Sequence, residues 1–200
     1  MNKLLLVLAS SNAGKLQEFQ ALFKRLSLEL VVQSAYGVVD AKETGKSFVE
    51  NALIKARHAA QYTGLPSLAD DSGLVIEALD DAPGIYSARY AGTPTNAAAN
   101  RQKVLSMMCN IPLEKRQAYF HCCLVLVRNA DDPTPIICEA RWHGSILTEE
   151  QGENGFGYDS IFFVPTHHCS AAELPLDIKN QISHRAQAMQ NMLTQLASSD

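Results

Sequence analysis

The sequence predicts an α/β protein: a long mixed β-sheet with flanking helices. Three observations carry this. A short apolar run leads through a polar loop into a helix with one apolar stripe. A second helix is marked at both ends, and two long strand-like runs are joined by a turn-rich segment. No repeat, low-complexity stretch or linker divides the chain, so residues 1–200 read as a single domain.

In order, Leu4 to Ala9 has the composition of a buried strand, and Ser10 to Gly14 is a polar loop. From Lys15, the residues Leu16, Phe19, Phe23 and Leu26 recur at helical spacing, and Leu28 to Gln33 returns to strand composition. Ser47-Phe48-Val49-Glu50 fits a capping box, in which each polar side chain satisfies an exposed amide at the helix start. Val49, Leu53, Ala56 and Ala60 follow as its apolar face, and Gly64 and Pro66 end it. Leu65 to Ala69 runs into Asp70-Asp71-Ser72-Gly73 and a strand-like Leu74 to Ile76, and Pro83-Gly84 marks a turn. Thr95 or Asn96 caps a helix reaching Met108. Ala118 to Val127 and Ile136 to His143 form a hairpin across Asn129 to Pro135. A glycine-punctuated loop, Gly152 to Asp159, precedes a strand at Ile161 to Val164. Ile182, Ala186, Met189, Leu193 and Leu196 mark a last helix.

Composition narrows the function. With 46% hydrophobic and 19% charged residues, the chain is that of a soluble globular protein. A net charge of -4 excludes a broad basic face for nucleic acid, while leaving room for lysines converging locally on a small polyanion. Leu4 to Leu8 is too short to span a membrane and runs into a polar loop instead of a cleavage site. Five cysteines without a CxxC pair, three of them within apolar runs, read as reduced thiols in a cytoplasmic protein.

Five segments can carry chemistry. Ser10-Ser11-Asn12-Ala13-Gly14-Lys15 joins a strand to a helix, where exposed amides and the helix dipole favour phosphate; an ordinary capped helix start has the same look. It is not a Walker loop, because the leading glycine is missing and Leu16 follows Lys15. Asp70-Asp71-Ser72-Gly73 reads either as hard oxygen ligands suited to Mg²⁺ or as a turn between strands. If the backbone is extended there, only one aspartate faces a given site. Glu43-Thr44-Gly45 precedes the helix bearing Lys55, which is either solvated or turned inward; beside Asp71, Glu43 completes a two-carboxylate metal site. Gly155-Phe156-Gly157-Tyr158-Asp159 offers a ring for a nucleobase to stack on, or a tight loop on a core aromatic. Lys179 with Ser183-His184-Arg185 supplies donors for a carbonyl on a base edge, or a solvated helix start. His167-His168-Cys169 lacks partner ligands at zinc spacing, and His121 reads as a packed strand histidine.

Together these segments resemble the inosine/xanthosine triphosphate pyrophosphatase family, housecleaning enzymes for deaminated purine nucleotides. The likeness runs from about Leu4 to Leu196. It rests on six motifs in order: Ser10 to Lys15, Glu43-Thr44-Gly45 with Phe48-x-Glu50-Asn51-Ala52, Ala69 to Leu74, Ala82 to Tyr90, Phe156 to Asp159, and Ser183-His184-Arg185. The resemblance implies a homodimer, each subunit having two lobes around a central active-site cleft, and a purine nucleoside triphosphate as substrate. It implies that Ser10, Ser11, Asn12, Ala13, Gly14 and Lys15 hold the phosphates with Lys55, and that Ser72 contacts substrate. Asp71 would be the general base and a magnesium ligand, with Glu43 as a second ligand. Phe156 would stack on the base, and Gly157, Tyr158, Asp159, Lys179, His184 and Arg185 would form the base site.

The implied reaction is attack of water on the α-phosphorus with pyrophosphate leaving; magnesium and lysines would offset the growing negative charge. Three positions depart from the family pattern near the site. Ser10 replaces a frequent threonine, Lys42 stands where an acid is common, and Ser160 follows Asp159 where proline is usual, an exchange expected to loosen the loop. Two rival readings are a pyrophosphatase for another modified nucleotide and a non-enzymatic nucleotide-binding protein.

Overall fold

The computed structural model of the chain describes residues 4–23 and 28–198. Leu26, expected on the first helix, lies outside them. The elements run β1 (Leu4–Leu8), α1 (Ala13–Phe23), β2 (Leu28–Val32), α2 (Phe48–Thr63), β3 (Ser67–Ile76), α3 (Ala97–Met107), β4 (Gln117–Val127), β5 (Ile136–Ile146), β6 (Phe162–Val164), β7 (Cys169–Ser170), α4 (Leu176–Ile182) and α5 (His184–Ala197). The strands form one seven-stranded sheet ordered β2-β1-β3-β4-β5-β6-β7. Pairing is parallel between β1 and both β2 and β3, and antiparallel from β5 to β6 and β6 to β7, so the sheet is mixed as expected.

The chain divides into two compact units. The first comprises Met1–Asp71, Cys122–Ala140 and Arg185–Asp200; the second comprises Ser72–His121 and Arg141–His184. In unit 1 the sheet is covered on both faces, and strand alternation sorts its residues. Leu6, Leu8, Leu68, Cys122, Leu124 and Leu126 pack with Phe19 and Phe23 of α1 and Ala188, Met189 and Met192 of α5. Val7, Ala69, Cys123, Val125 and Val127 pack with Ala52, Ala56, Ala59 and Ala60 of α2, whose small side chains let that helix lie close to the strands. Unit 2 has its own core, including Leu74, Ile76, Val104, Phe120, Trp142, Tyr158 and Phe162.

Most element expectations hold. Ser47 Oγ accepts from the Glu50 amide at 3.3 Å, and the Glu50 carboxylate accepts from Lys46 N at 2.6 Å, one residue earlier than an ideal capping box. Asn96, not Thr95, caps α3. Four readings need correction. Helix α1 begins at Ala13, so Ala13 and Gly14 belong to its first turn instead of the loop. No turn interrupts Asp70-Asp71-Ser72-Gly73, because β3 runs through it unbroken. Ile182 closes α4 while α5 starts at His184, which makes two helices of the expected one. β7 was not expected; two residues are too few to show a period.

Candidate active site

Unit 1 concentrates charge at the end of β1 and the middle of β3. Asn12 Oδ1 accepts from Lys15 N at 3.0 Å and so caps α1, while Ser10 Oγ accepts from Asn12 N at 3.2 Å. Ser11 Oγ donates to Asp40 Oδ2, and Gln33 Nε2 donates to Asp40 Oδ1 at 2.6 Å. The polar loop is thereby braced, with the first-turn amides of Ala13 and Gly14 at the positive end of the helix.

The alternation that sorts the core also separates the two aspartates. Asp70 continues the parity of Leu68 toward α1 and α5, and Asp71 that of Ala69 toward α2. Asp70 therefore meets Lys15, whose Nζ donates to Oδ1 at 3.0 Å, and Arg185, whose Nε donates to Oδ2 at 2.5 Å. Arg185 Nη1 also pairs with Glu18, and all three side chains are buried. Asp71 meets Lys55, whose Nζ donates to Oδ1 at 2.6 Å and to Glu43 Oε1 at 3.0 Å. The expected neighbourhood of Glu43, Lys55 and Asp71 is thus present. The Asp70 carbonyl oxygen joins the two sides, accepting from Lys15 at 3.2 Å and Lys55 at 2.8 Å.

The electrostatics follow. Burial raises the Asp71 carboxyl above its ordinary range; Lys55 and Lys15 oppose that incompletely, and Glu43 adds to it. Burial alone would lower the Lys55 ammonium, but Asp71 and Glu43 outweigh it and hold it above the ordinary lysine value. Asp71 Oδ2 is buried and has no hydrogen-bond partner. A buried carboxylate oxygen in that condition is costly, and a hard cation held with Glu43 is one way to satisfy it. The donor set, two carboxylates with oxygen ligands only, fits magnesium. Among the described residues no three His, Cys, Asp or Glu side chains gather as a metal cluster, His167-His168-Cys169 included.

Unit 2 holds the remaining expected residues. Gly155 has φ +75°, and a Cβ there would stand 2.1 Å from Asp159 Oδ2, so only glycine fits. This lets Asp159 Oδ2 accept from Phe156 N at 2.8 Å and from Lys179 Nζ at 2.6 Å. The Lys179 ammonium stands 5.0 Å from the centre of the Phe156 ring. His184 stacks on Phe120 with ring centres 4.9 Å apart, and is buried. Ser72 is half-buried on β3. Tyr158, expected with the base-binding residues, belongs to the core, its hydroxyl donating to Ser87 O at 2.7 Å. Arg185, expected there too, is engaged by Asp70 and Glu18 in unit 1. Gly157 presents its carbonyl to Arg101 at 3.0 Å. Ser160 Oγ donates to Glu150 at 3.0 Å, a tether where loosening was expected.

Sequence reasoning missed Glu18, Asp40, Asn51, Arg101 and Glu150. Asn51 Oδ1 accepts from Gly45 N at 2.9 Å and so fixes the segment carrying Glu43. Its place inside the motif beside Glu50 was the available signal; the others are single polar residues on helices or loops, Glu18 among them buried, with no pattern to mark them.

The model of the Ham1 family matches residues 6–195. The dITP/XTP pyrophosphatase of Xanthomonas oryzae pv. oryzae is 55% identical over 184 residues, 92% of each chain. That of Vibrio parahaemolyticus is 52% identical over 192 residues, 96% of each chain. The HAM1 protein of Coxiella burnetii, a solved structure, superposes with a TM-score of 0.90 at 51% identity, covering 98% of this chain and 99% of the other.

Proposed function

Because the chain belongs to the Ham1 family, we propose that it hydrolyses deaminated purine nucleoside triphosphates (ITP, dITP and XTP) to the monophosphate and pyrophosphate. One observation carries the reading: two lysines from different helices converge on the Asp70 carbonyl, beside an Asp71 carboxylate with one buried, unpartnered oxygen. That arrangement offers two ammonium donors for a polyphosphate, each now held by carboxylates, and a proton acceptor within one strand residue of them.

Lys15, Lys55 and the first-turn amides of α1 bind and orient the phosphates. Asp71 and Glu43 would hold magnesium, which when bound neutralises phosphate charge. Asp71 takes the proton of the attacking water, its buried Oδ2 having no other hydrogen-bond partner. Asp70, fixed by Lys15 and Arg185, aims its carbonyl at both ammoniums and takes no proton. In unit 2 Phe156 supplies a face for the purine, and Lys179 a donor that suits a 6-oxo group and not the 6-amino group of adenine. The chain acts as one domain, in the cytoplasm and as a homodimer; light scattering checks the last.

The test is pyrophosphate release with Mg²⁺ from ITP, dITP, XTP, GTP, ATP and dUTP by the wild type and by Asp71→Asn. The expected result is turnover confined to the deaminated purines and lowered about 10²–10⁴-fold in the variant. Folded wild-type protein that releases pyrophosphate from none of them is a binding protein, and the proposal fails.

A further inference from the structure

We propose that Arg101 is a positioning residue that sets the Phe156 loop through a clamp with Glu150 and Ser160. The inference rests on the stacking role given to Phe156 above. All four residues belong to unit 2.

Arg101 projects from α3, which is fixed independently of the loop. Asn96 caps that helix, and Val104 is buried in the core. Asn100, next to Arg101, accepts from Ala91 N at 2.7 Å and donates to Ser87 O at 3.3 Å and Ala88 O at 3.0 Å. From this base the guanidinium makes two bonds. Nη1 donates to Gly157 O at 3.0 Å, and Nε donates to Glu150 Oε2 at 2.8 Å. The same Glu150 oxygen accepts from Ser160 Oγ at 3.0 Å. One arginine thus holds the loop at two points on either side of Tyr158 and Asp159, directly at Gly157 and through Glu150 at Ser160.

The clamp complements what holds the loop from within. Asp159 ties Phe156 N to Lys179, and Tyr158 is anchored on Ser87 O. Those bonds, with Asp159 N donating to Phe156 O at 3.2 Å, fix both peptides of Phe156 and the two residues after Gly157. They leave the carbonyl of Gly157, which has φ +64°, to be set by Arg101. The Gly157 peptide closes the turn that presents the Phe156 ring, so the clamp holds that turn in place. A charge-assisted bond to a carbonyl on a partly buried arginine suits that task. The serine at 160 is part of the device, because proline there has no hydroxyl to give Glu150.

The experiment compares Arg101→Ala, Arg101→Lys and Ser160→Ala with wild type in two readouts: amide exchange across residues 155–160, and KM and kcat for dITP. Arg101→Ala is expected to speed loop exchange with α3 and β6 unchanged. It should raise KM roughly tenfold, the equivalent of about 1.4 kcal/mol, with kcat within about twofold of wild type. Arg101→Lys recovers part of both effects, since an ammonium reaches one acceptor but not two. Loop exchange and KM at wild-type levels in Arg101→Ala overturn the proposal. So does faster exchange with unchanged KM, which would make the clamp merely structural. If Arg101→Ala unfolds, Ser160→Ala removes one arm and is judged by the same two readouts. If wild type fails to turn over dITP, the catalytic reading falls, and loop exchange alone then decides whether the clamp exists.

Discussion

Replacing Arg185 by methionine tests the buried charge cluster that supports β3. The guanidinium lies between Asp70, 2.5 Å from Nε, and Glu18, with side-chain exposures of 2% for Arg185 and 0% and 4% for the two acids. Methionine keeps an unbranched apolar stem beside Phe19, whose ring centre is 5.7 Å from the guanidinium carbon, but ends where Nε stands. It removes the charge that lets two carboxylates share a dry space. Asp70 retains Lys15 at 3.0 Å, while Glu18 loses its arginine. Breaking a buried pair by deleting one partner costs about 3–5 kcal/mol, because the remaining charge is stranded. For a chain of this size that lowers Tm by roughly 6–20 °C, at about 2–4 °C per kcal/mol. The assay is urea unfolding followed by circular dichroism, with Tm from the same samples. The double variant Glu18→Gln/Arg185→Met should recover part of the loss, since it removes one stranded charge. A loss below about 1 kcal/mol, or a double variant no better than the single, would refute the reasoning.

Three further outcomes are expected. Asp132 is held below the ordinary carboxylate range, first by the Arg128 side chain and then by the amides of Arg128 and Thr134. Its stabilisation is therefore present above the unfolded value of about pH 4 and fades as pH falls through the folded value. Asp132→Asn should lower Tm at pH 7, with a deficit that starts to shrink only below about pH 4 and goes on shrinking as pH falls further; a deficit independent of pH contradicts the sign. Native thiol titration should find Cys109 fast and Cys169 slower, with Cys122, Cys123 and Cys138 reacting only on unfolding. Burial, with the nearby acids, pushes the Cys123 thiol up to about 12, so rapid native labelling of it would contradict the packing. In Gly144→Ala the new methyl would meet Phe163 O at 2.3 Å and Phe162 Cζ at 2.6 Å, and a loss of about 1–3 kcal/mol in chemical denaturation is expected. An unchanged denaturation midpoint would show that β5 and β6 can separate there without penalty.

What was legible in the sequence is what repetition or capping chemistry announces. The apolar stripe of α1, the Ser47 cap of α2 and the two long strands β4 and β5 show through because many residues repeat one signal. The candidate site was legible as separate segments, since Lys15, Lys55, Glu43 and Asp71 each lie in a motif. What remained hidden depends on partners distant in the chain. Asp70 to Gly73 has poor strand propensity, and only the cations of Lys15, Lys55 and Arg185 make it tolerable inside β3. That Arg185 pairs with Glu18 and Tyr158 with Ser87 was not legible, because nothing local marks those partners. The boundary between α4 and α5 is hidden because Ile182 continues the apolar spacing of α5 across the break.

The unbroken course of β3 has a consequence for how this segment can vary. Since neighbouring residues of a strand take opposite faces, deleting or inserting one residue before Asp70 would exchange the faces of the two aspartates. A deletion would bring the carboxylate of Asp71 to Arg185, an insertion would bring that of Asp70 to Lys55, and in either case the other aspartate would change face and lose its partner. Substitutions in this strand alter one contact at a time, whereas a change of length alters all of them together. Across variants of this chain, the number of residues between the pairing with β1 at Leu68 and the carboxylate of Asp71 should therefore vary less than their identities.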